Sequence, residues 1–177
     1  MEILRLIQAS EEYAEQIEEY RNEFEDLNVT HIRGRIPGLS YLEEYDDVRD
    51  WLQYTNAFTE KVTWYMTVRK ADERIIGFVC IRNKLEYDDD DTAFASHIGY
   101  SIRPSEQGKG YAKEQLKLAL EKAEEAGIES VRLVCRDTNT ASRKTIEACG
   151  GRYIDSIYGE ESGATVLRYD IDLRKDK

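Results

Sequence analysis

Apolar residues recur with a helical period early in the chain and with a strand period in its middle. Residues 3–7, ILRLI, predict a short strand. Ser10 is placed to cap a helix whose apolar positions Tyr13, Ile17, Tyr20 and Phe24 share one face. The stretch 28–39 holds Gly34 and the pair Pro37-Gly38 and reads as a loop. Ser40 and Glu43 then have capping-box spacing, before a second helix presenting Tyr41, Tyr45, Val48 and Leu52. From Val62 the composition turns β-branched and aromatic. Strands are expected at 62–69, 74–82 and 93–103, joined by short connections, hence an antiparallel meander.

The period reverts to helical at 110–125, with Ala112, Leu116, Ala119, Leu120 and Ala123 on one side and Gly127 as the natural stop. Strand 131–136 follows, so 93–136 is a strand–helix–strand unit whose two strands should run parallel. Asp137 or Asn139 can cap a last short helix that ends at Gly150-Gly151. A closing hairpin is expected from 152–158 and 164–173. The sum is one α/β domain over residues 1–177, a mixed and mostly antiparallel sheet with helices on its faces.

Composition narrows the class. The chain has 177 residues, enough to bury about 70% of its unfolded surface in one core. Apolar residues make up 41% and no run approaches a membrane span, so no membrane partner is expected. The first residues lack the basic flank and long apolar centre of an export signal. Cys80, Cys135 and Cys149 show no metal-ligand spacing, and no metal is expected; reduced, packed thiols in a cytoplasmic protein fit them best. The net charge of −11 argues against nucleic acid as a partner. It would steer a cationic acceptor inward, unless it serves only solubility. The run Asp88–Asp91 reads as a solvated loop tip.

The loop Gln107-Gly108-Lys109-Gly110-Tyr111-Ala112 stands between a strand ending Ile102-Arg103-Pro104 and a helix. Such a loop offers free backbone N–H groups to a phosphate. Position 113 is Lys, so the dinucleotide fingerprint is incomplete, and the Gly-Lys-Ser/Thr of a P-loop is absent. Two glycines before a helix can also make a plain turn.

The wider pattern resembles the GNAT superfamily of N-acetyltransferases. Gln107, Gly110 and Ala112 match its acyl-CoA motif of Gln or Arg, two residues, Gly, one residue, then Gly or Ala. Asn139, Ser142 and Gly150 match its next motif. The stretches HIGYSIRP and GKGYA are most similar to the branch holding the ribosomal-protein N-terminal acetyltransferases. The resemblance implies a β-α-β acyl-CoA-binding core within the sheet. It implies acetyl-CoA as cosubstrate, transfer to a primary amine of a small molecule or peptide by direct attack, and pantetheine bonded near Ile102 between two splayed strands. Arg103, Lys109, Arg143 and Lys144 are candidate charges near the cofactor's phosphates, with Gly108 and Tyr111 completing the cradle. A homodimer is among the assemblies left open.

His97 is the candidate base, on the strand leading into the loop and with a pKa suited to neutral pH. Alternation groups it with Gly99 and Ser101, away from Ile98, Tyr100 and Ile102. A histidine that only bonds structurally is the alternative, and Glu86 or Asp88–Asp91 are further base candidates. In many GNAT enzymes a Tyr seven residues after the motif Asn protonates the leaving thiolate; here that position is Ile146. Ser142, Tyr153, Cys135 or water could take that role. A non-catalytic acyl-CoA-binding or sensing module, and a nucleotide-phosphate binder of another class, are the competing readings.

Overall fold

The computed structural model describes residues 3–26, 36–85, 95–160 and 163–174. The base candidate Glu86 and the acidic run 88–91 lie outside them. Seven strands and four α-helices follow one another as β1 (Leu4–Gln8), α1 (Ala14–Asp26), α2 (Val48–Ala57), β2 (Val62–Arg69), β3 (Arg74–Arg82), β4 (Ile98–Ile102), α3 (Tyr111–Glu125), β5 (Ser130–Arg136), α4 (Thr140–Ala148), β6 (Arg152–Gly159) and β7 (Ala164–Asp172).

The strands form two sheets, β1-β2-β3-β4 and β5-β7-β6, in which every ladder is antiparallel. The expected meander is therefore present. The strand–helix–strand unit is present too, but β4 and β5 share no ladder. They meet at one joint. The His97 N–H donates to Arg132 O at 2.9 Å, and the Arg132 N–H donates to His97 Nδ1 at 2.8 Å.

β3 is covered on both faces, which is why 74–82 is a nearly unbroken apolar run. Phe78 and Cys80 face a core with Ile17, Tyr20 and Phe24 of α1 and Trp51 and Leu52 of α2. Val79 and Ile81 face a second core with Leu116, Ala119 and Leu120 of α3, Leu133 of β5 and Ile146 of α4. Gln115 of α3 is fully buried and donates to Phe78 O at 2.7 Å and Ser101 O at 3.3 Å, fastening β3 to β4. Gly77 is needed there, because a Cβ would stand 2.5 Å from Ser101 O.

Three local expectations change. Ser10 makes no side-chain cap; a 3-10 turn over Glu11–Tyr13 leads into α1 instead. Ser40 and Glu43 do not start α2. Tyr41 takes a left-handed backbone (φ 69°), which ends any helix there, and Asp47 caps α2 by accepting from Arg49 N–H at 2.8 Å. Tyr41 and Tyr45 pack from outside the helix against Tyr54. β4 is also shorter than 93–103, and its first regular residue is Ile98. Alternation therefore does not govern His97, whose ring turns to β5.

The His97 joint makes stability depend on pH. Burial holds the imidazole below its usual pKa; the Arg132 charge adds to this, Asp170 opposes it, and Arg82 adds a little more. A histidine neutral when folded and protonated when unfolded stabilises the fold above its unfolded pKa of about 6.5, and that contribution is lost as pH falls. We expect Tm to drop between about pH 7 and pH 5 more steeply in the wild type than in His97→Asn. The Asn amide oxygen can accept the same N–H without titrating. Parallel Tm–pH curves would show that the joint does not depend on neutral His97.

Candidate active site

Between β4 and β5 the missing ladder leaves a cavity of about 530 Å³. One mouth lies at the N-terminus of α3, lined by Gln107, Gly108, Gly110, Tyr111 and Ala112. The middle is walled by Ile98–Ile102 on one side and by Val134, Cys135 and Arg136 on the other. The far mouth is lined by Pro37, Gly38, Ser40, Cys80, Arg82 and Ser96. Residues from both faces of β4 reach the cavity, so it passes through the plane where the sheet is broken.

The α3 mouth is built as an anion cradle. Gly108 and Gly110 have φ of 75° and 85°, a region that strains other residues, and the space beside each is open. Gly110 is the N-cap and makes no side-chain cap, so the first N–H groups of α3 face the mouth unbonded by any side chain. Gln107 Nε2 donates to Ile102 O at 3.1 Å, fixing the loop to the end of β4. Arg136 adds a guanidinium whose buried Nε has no hydrogen-bond partner among the described residues. These donors fit a pyrophosphate.

In the middle of the cavity, Asn139 Oδ1 caps α4 by accepting from Ser142 N–H at 3.0 Å. This holds the Ser142 hydroxyl 2.9 Å from the hydroxyl of Tyr100, across the gap from β4. Burial raises the Tyr100 pKa well above 10, so the phenol keeps its proton. Burial also pushes the Cys135 thiol up to about 11, so it is a poor nucleophile at neutral pH.

The structure thus brings together Ile102, Gln107, Gly108, Gly110, Tyr111, Ala112, Asn139 and Ser142. It places five other candidates elsewhere. His97 does not line the cavity; its Nδ1 accepts from the Arg132 backbone, which leaves the proton on Nε2 and no free base lone pair. Arg103 sits on the opposite face of β4 from Ile102, only 2% exposed. There it pairs with Glu23 at 3.3 Å and lies over the Tyr20 ring. Lys109 Nζ turns to Glu106 at 2.8 Å rather than into the cradle. Arg143 and Lys144 do not line the cavity either, and Ile146 is fully buried in the second core.

Arg82, Arg136 and Tyr100 were not legible as site residues. Arg82 and Arg136 each end an apolar strand, and charge at a strand's carboxyl end beside a break in the sheet is the usable signal. Tyr100 alternates with Ile98 and Ile102 and reads as core until the gap is known.

Residues 4–152 match the family model described as an acetyltransferase (GNAT) domain. No curated protein matches the chain. Solved structures of similar fold include the Salmonella typhimurium acetyltransferase that modifies the N-terminal serine of ribosomal protein L7/L12 (TM-score 0.73, 17% identity, covering 98% of this chain and 97% of that one). A second is YncA of Salmonella typhimurium, solved with acetyl-CoA (TM-score 0.69, 15% identity, coverage 98% and 96%). A third is the dodecameric spermidine N-acetyltransferase of Vibrio cholerae (TM-score 0.66, 18% identity, coverage 96% and 94%). The glycine loop at the α3 N-terminus, the broken sheet and the family match agree, and the chain belongs to the GNAT acetyltransferases, enzymes that move an acetyl group from acetyl-CoA to an amine.

Proposed function

We propose that this protein acetylates a primary amine, with acetyl-CoA entering at the α3 mouth and the acceptor at the Arg82 mouth. The observation that carries the reading is the cavity through the β4–β5 break, which lets two ligands meet from opposite faces of one sheet. The N–H groups at the start of α3, with the helix dipole behind them, hold the pyrophosphate, and Arg136 adds a positive charge to the cavity lining. This local field overcomes the repulsion of a chain with net charge −11.

Transfer forms an N–C bond, breaks the S–C bond, removes a proton from the amine and returns one to sulfur. Ser142 is the residue assigned to the sulfur. With the Tyr100 hydroxyl donating to its oxygen, the Ser142 proton is free to bond the departing thiolate. Tyr100 thereby positions that proton without surrendering its own. Ile146 has no such capacity, so the serine–tyrosine pair stands where the family's usual tyrosine is missing.

His97 has no part in this route and serves as the strand joint. Among the described residues the cavity's one carboxylate is Glu106, already bonded to Lys109 and Arg69. Among the described residues no dedicated base lines the cavity, which favours an amine that is easily deprotonated. An α-amine of pKa about 8 costs about 1.4 kcal/mol to neutralise at pH 7, against about 4.5 for a lysine-like amine. Direct attack also fits Cys135, which stays protonated. Three free thiols agree with a cytoplasmic setting, and no described helix is long and apolar enough to cross a membrane. A homodimer through the β6 edge is part of this reading, since Tyr153, Ile154 and Tyr158 are exposed there.

Thiol release from acetyl-CoA across a panel of amino acids, peptides and polyamines tests the activity. Tight CoA binding with no turnover on any amine would favour a sensing module instead. Tyr100→Phe and Ser142→Ala should each lower kcat about tenfold with KM for acetyl-CoA little changed, and the double variant should be no worse than the single ones. Additive losses would separate the two hydroxyls. Arg136→Ala should weaken CoA binding by about tenfold in calorimetry while leaving Tm within about 2 °C. Unchanged affinity would remove Arg136 from the cradle.

A further inference from the structure

The acceptor mouth carries an unspent positive charge. Arg82 ends β3 on the same face as Phe78 and Cys80, beneath the 36–40 segment and away from α3. Its hydrogen bonds are long and go to neutral oxygens: Nη2 to Ser40 Oγ at 3.2 Å and Nη1 to Ser96 O at 3.4 Å. Among the described residues no carboxylate pairs with it. Arg69, Arg103, Arg132 and Arg168, which do not line the cavity, each hold one.

A second donor converges on the same place. Gly99 is closely approached: the point where a Cβ would stand lies 3.0 Å from Cys80 Sγ, 3.5 Å from the backbone nitrogen of Gly38 and 3.8 Å from Arg82 Nη1, so glycine lets both donors come close to the β4 backbone. The Gly38 N–H has no hydrogen-bond partner among the described residues. A guanidinium and an unpaired backbone N–H therefore stand side by side on the cavity wall at Gly99, one residue before Tyr100. Two such donors facing one cavity suit a carboxylate.

We infer that Arg82 and the Gly38 N–H anchor a carboxylate on the acceptor, so that the substrate is a primary amine with a carboxylate close to its nitrogen. The inference rests on the reading of the cavity as a site where cofactor and acceptor meet. The short step along β4 from Gly99 to Tyr100 keeps the two groups near each other. The α-carboxylate of a free amino acid satisfies this, and so does the side chain of an acidic residue at a peptide's N-terminus. Polyamines do not: they would bring cations to a cationic mouth. The net charge of −11 suggests the opposite acceptor, but the local charge of the mouth outweighs the distant, solvent-screened field.

Matched pairs test it: free amino acids against their carboxamides, peptides starting with Asp or Glu against those starting with Asn or Gln, and spermidine as the cationic reference. In at least one pair the carboxylate member should be favoured about tenfold or more in kcat/KM, a gap that closes in Arg82→Gln and is partly kept in Arg82→Lys. The free amino acid and the peptide arms separate the two carboxylate sources. In parallel, thermal shifts of the CoA-loaded protein should rise with the carboxylate member alone, and Arg82→Gln should abolish the rise while still binding CoA. Turnover of amines with no carboxylate preference, a preference surviving Arg82→Gln, or spermidine as the best acceptor would overturn the inference and leave acetyl transfer standing. With no turnover at all, transfer itself fails. The thermal shifts then still decide the anchor, and the absence of any carboxylate-dependent rise overturns it.

Discussion

A broken sheet is the constraint on which this molecule depends. β4 needs a neighbour for its outer edge, yet the site requires that edge to be open. The structure meets both demands with one joint, in which His97 and Arg132 exchange two hydrogen bonds at the start of β4 while the rest of the strand stands clear of β5. Unpaired backbone groups are costly in a dry core. Here they line a cavity, where solvent or a bound ligand can satisfy them. Gln115 and Gly77 keep β4 tightly on β3, so the edge is held rigid although it is unpaired on one side.

The same break distributes the chemistry. Side chains from opposite faces of β4 reach one space, and the helix N-terminus that suits phosphate stands at one mouth only. Charge follows this division. The acidic surface of the chain is neutralised locally by arginine–carboxylate pairs such as Arg132–Asp170 and Arg168–Asp155. Arg82 and Arg136, which line the cavity, keep donors in hand. Arg74 and Arg103 also leave a buried Nε without a partner among the described residues, so it is the place of Arg82 and Arg136 on the cavity wall, more than the spare donor alone, that ties them to ligands.

Much of the fold could be read from the chain because its signals are local. Period, turn glycines and the β-branched run at 62–69 set the elements, and the seven strands and four helices of the described residues occur near where they were expected. The errors have physical causes. Tyr41 adopts a backbone conformation that aromatic residues rarely take, which no propensity anticipates, so the second helix starts at Val48 instead of after Ser40. His97 sits one residue outside the regular strand, where alternation gives no direction. Arg103 lies one residue beyond the other end of β4, and its long-range partners Glu23 and Tyr20 of α1 draw it away from the cavity.

The order of residues by itself determined the glycine loop ahead of α3 and the identity of the family, since both rest on short-range spacing from Gln107 to Ala112 and from Asn139 to Gly150. Tertiary structure decided which side chains line the cavity. Tyr100 and Ser142 are 42 residues apart and meet only because α4 docks across the open edge of β4. Arg82, Gly38 and Gly99 come from three separate segments and converge only when β3, β4 and the 36–40 loop pack together. Contacts of that range depend on how the two sheets are set against each other, and no local pattern in the chain encodes it.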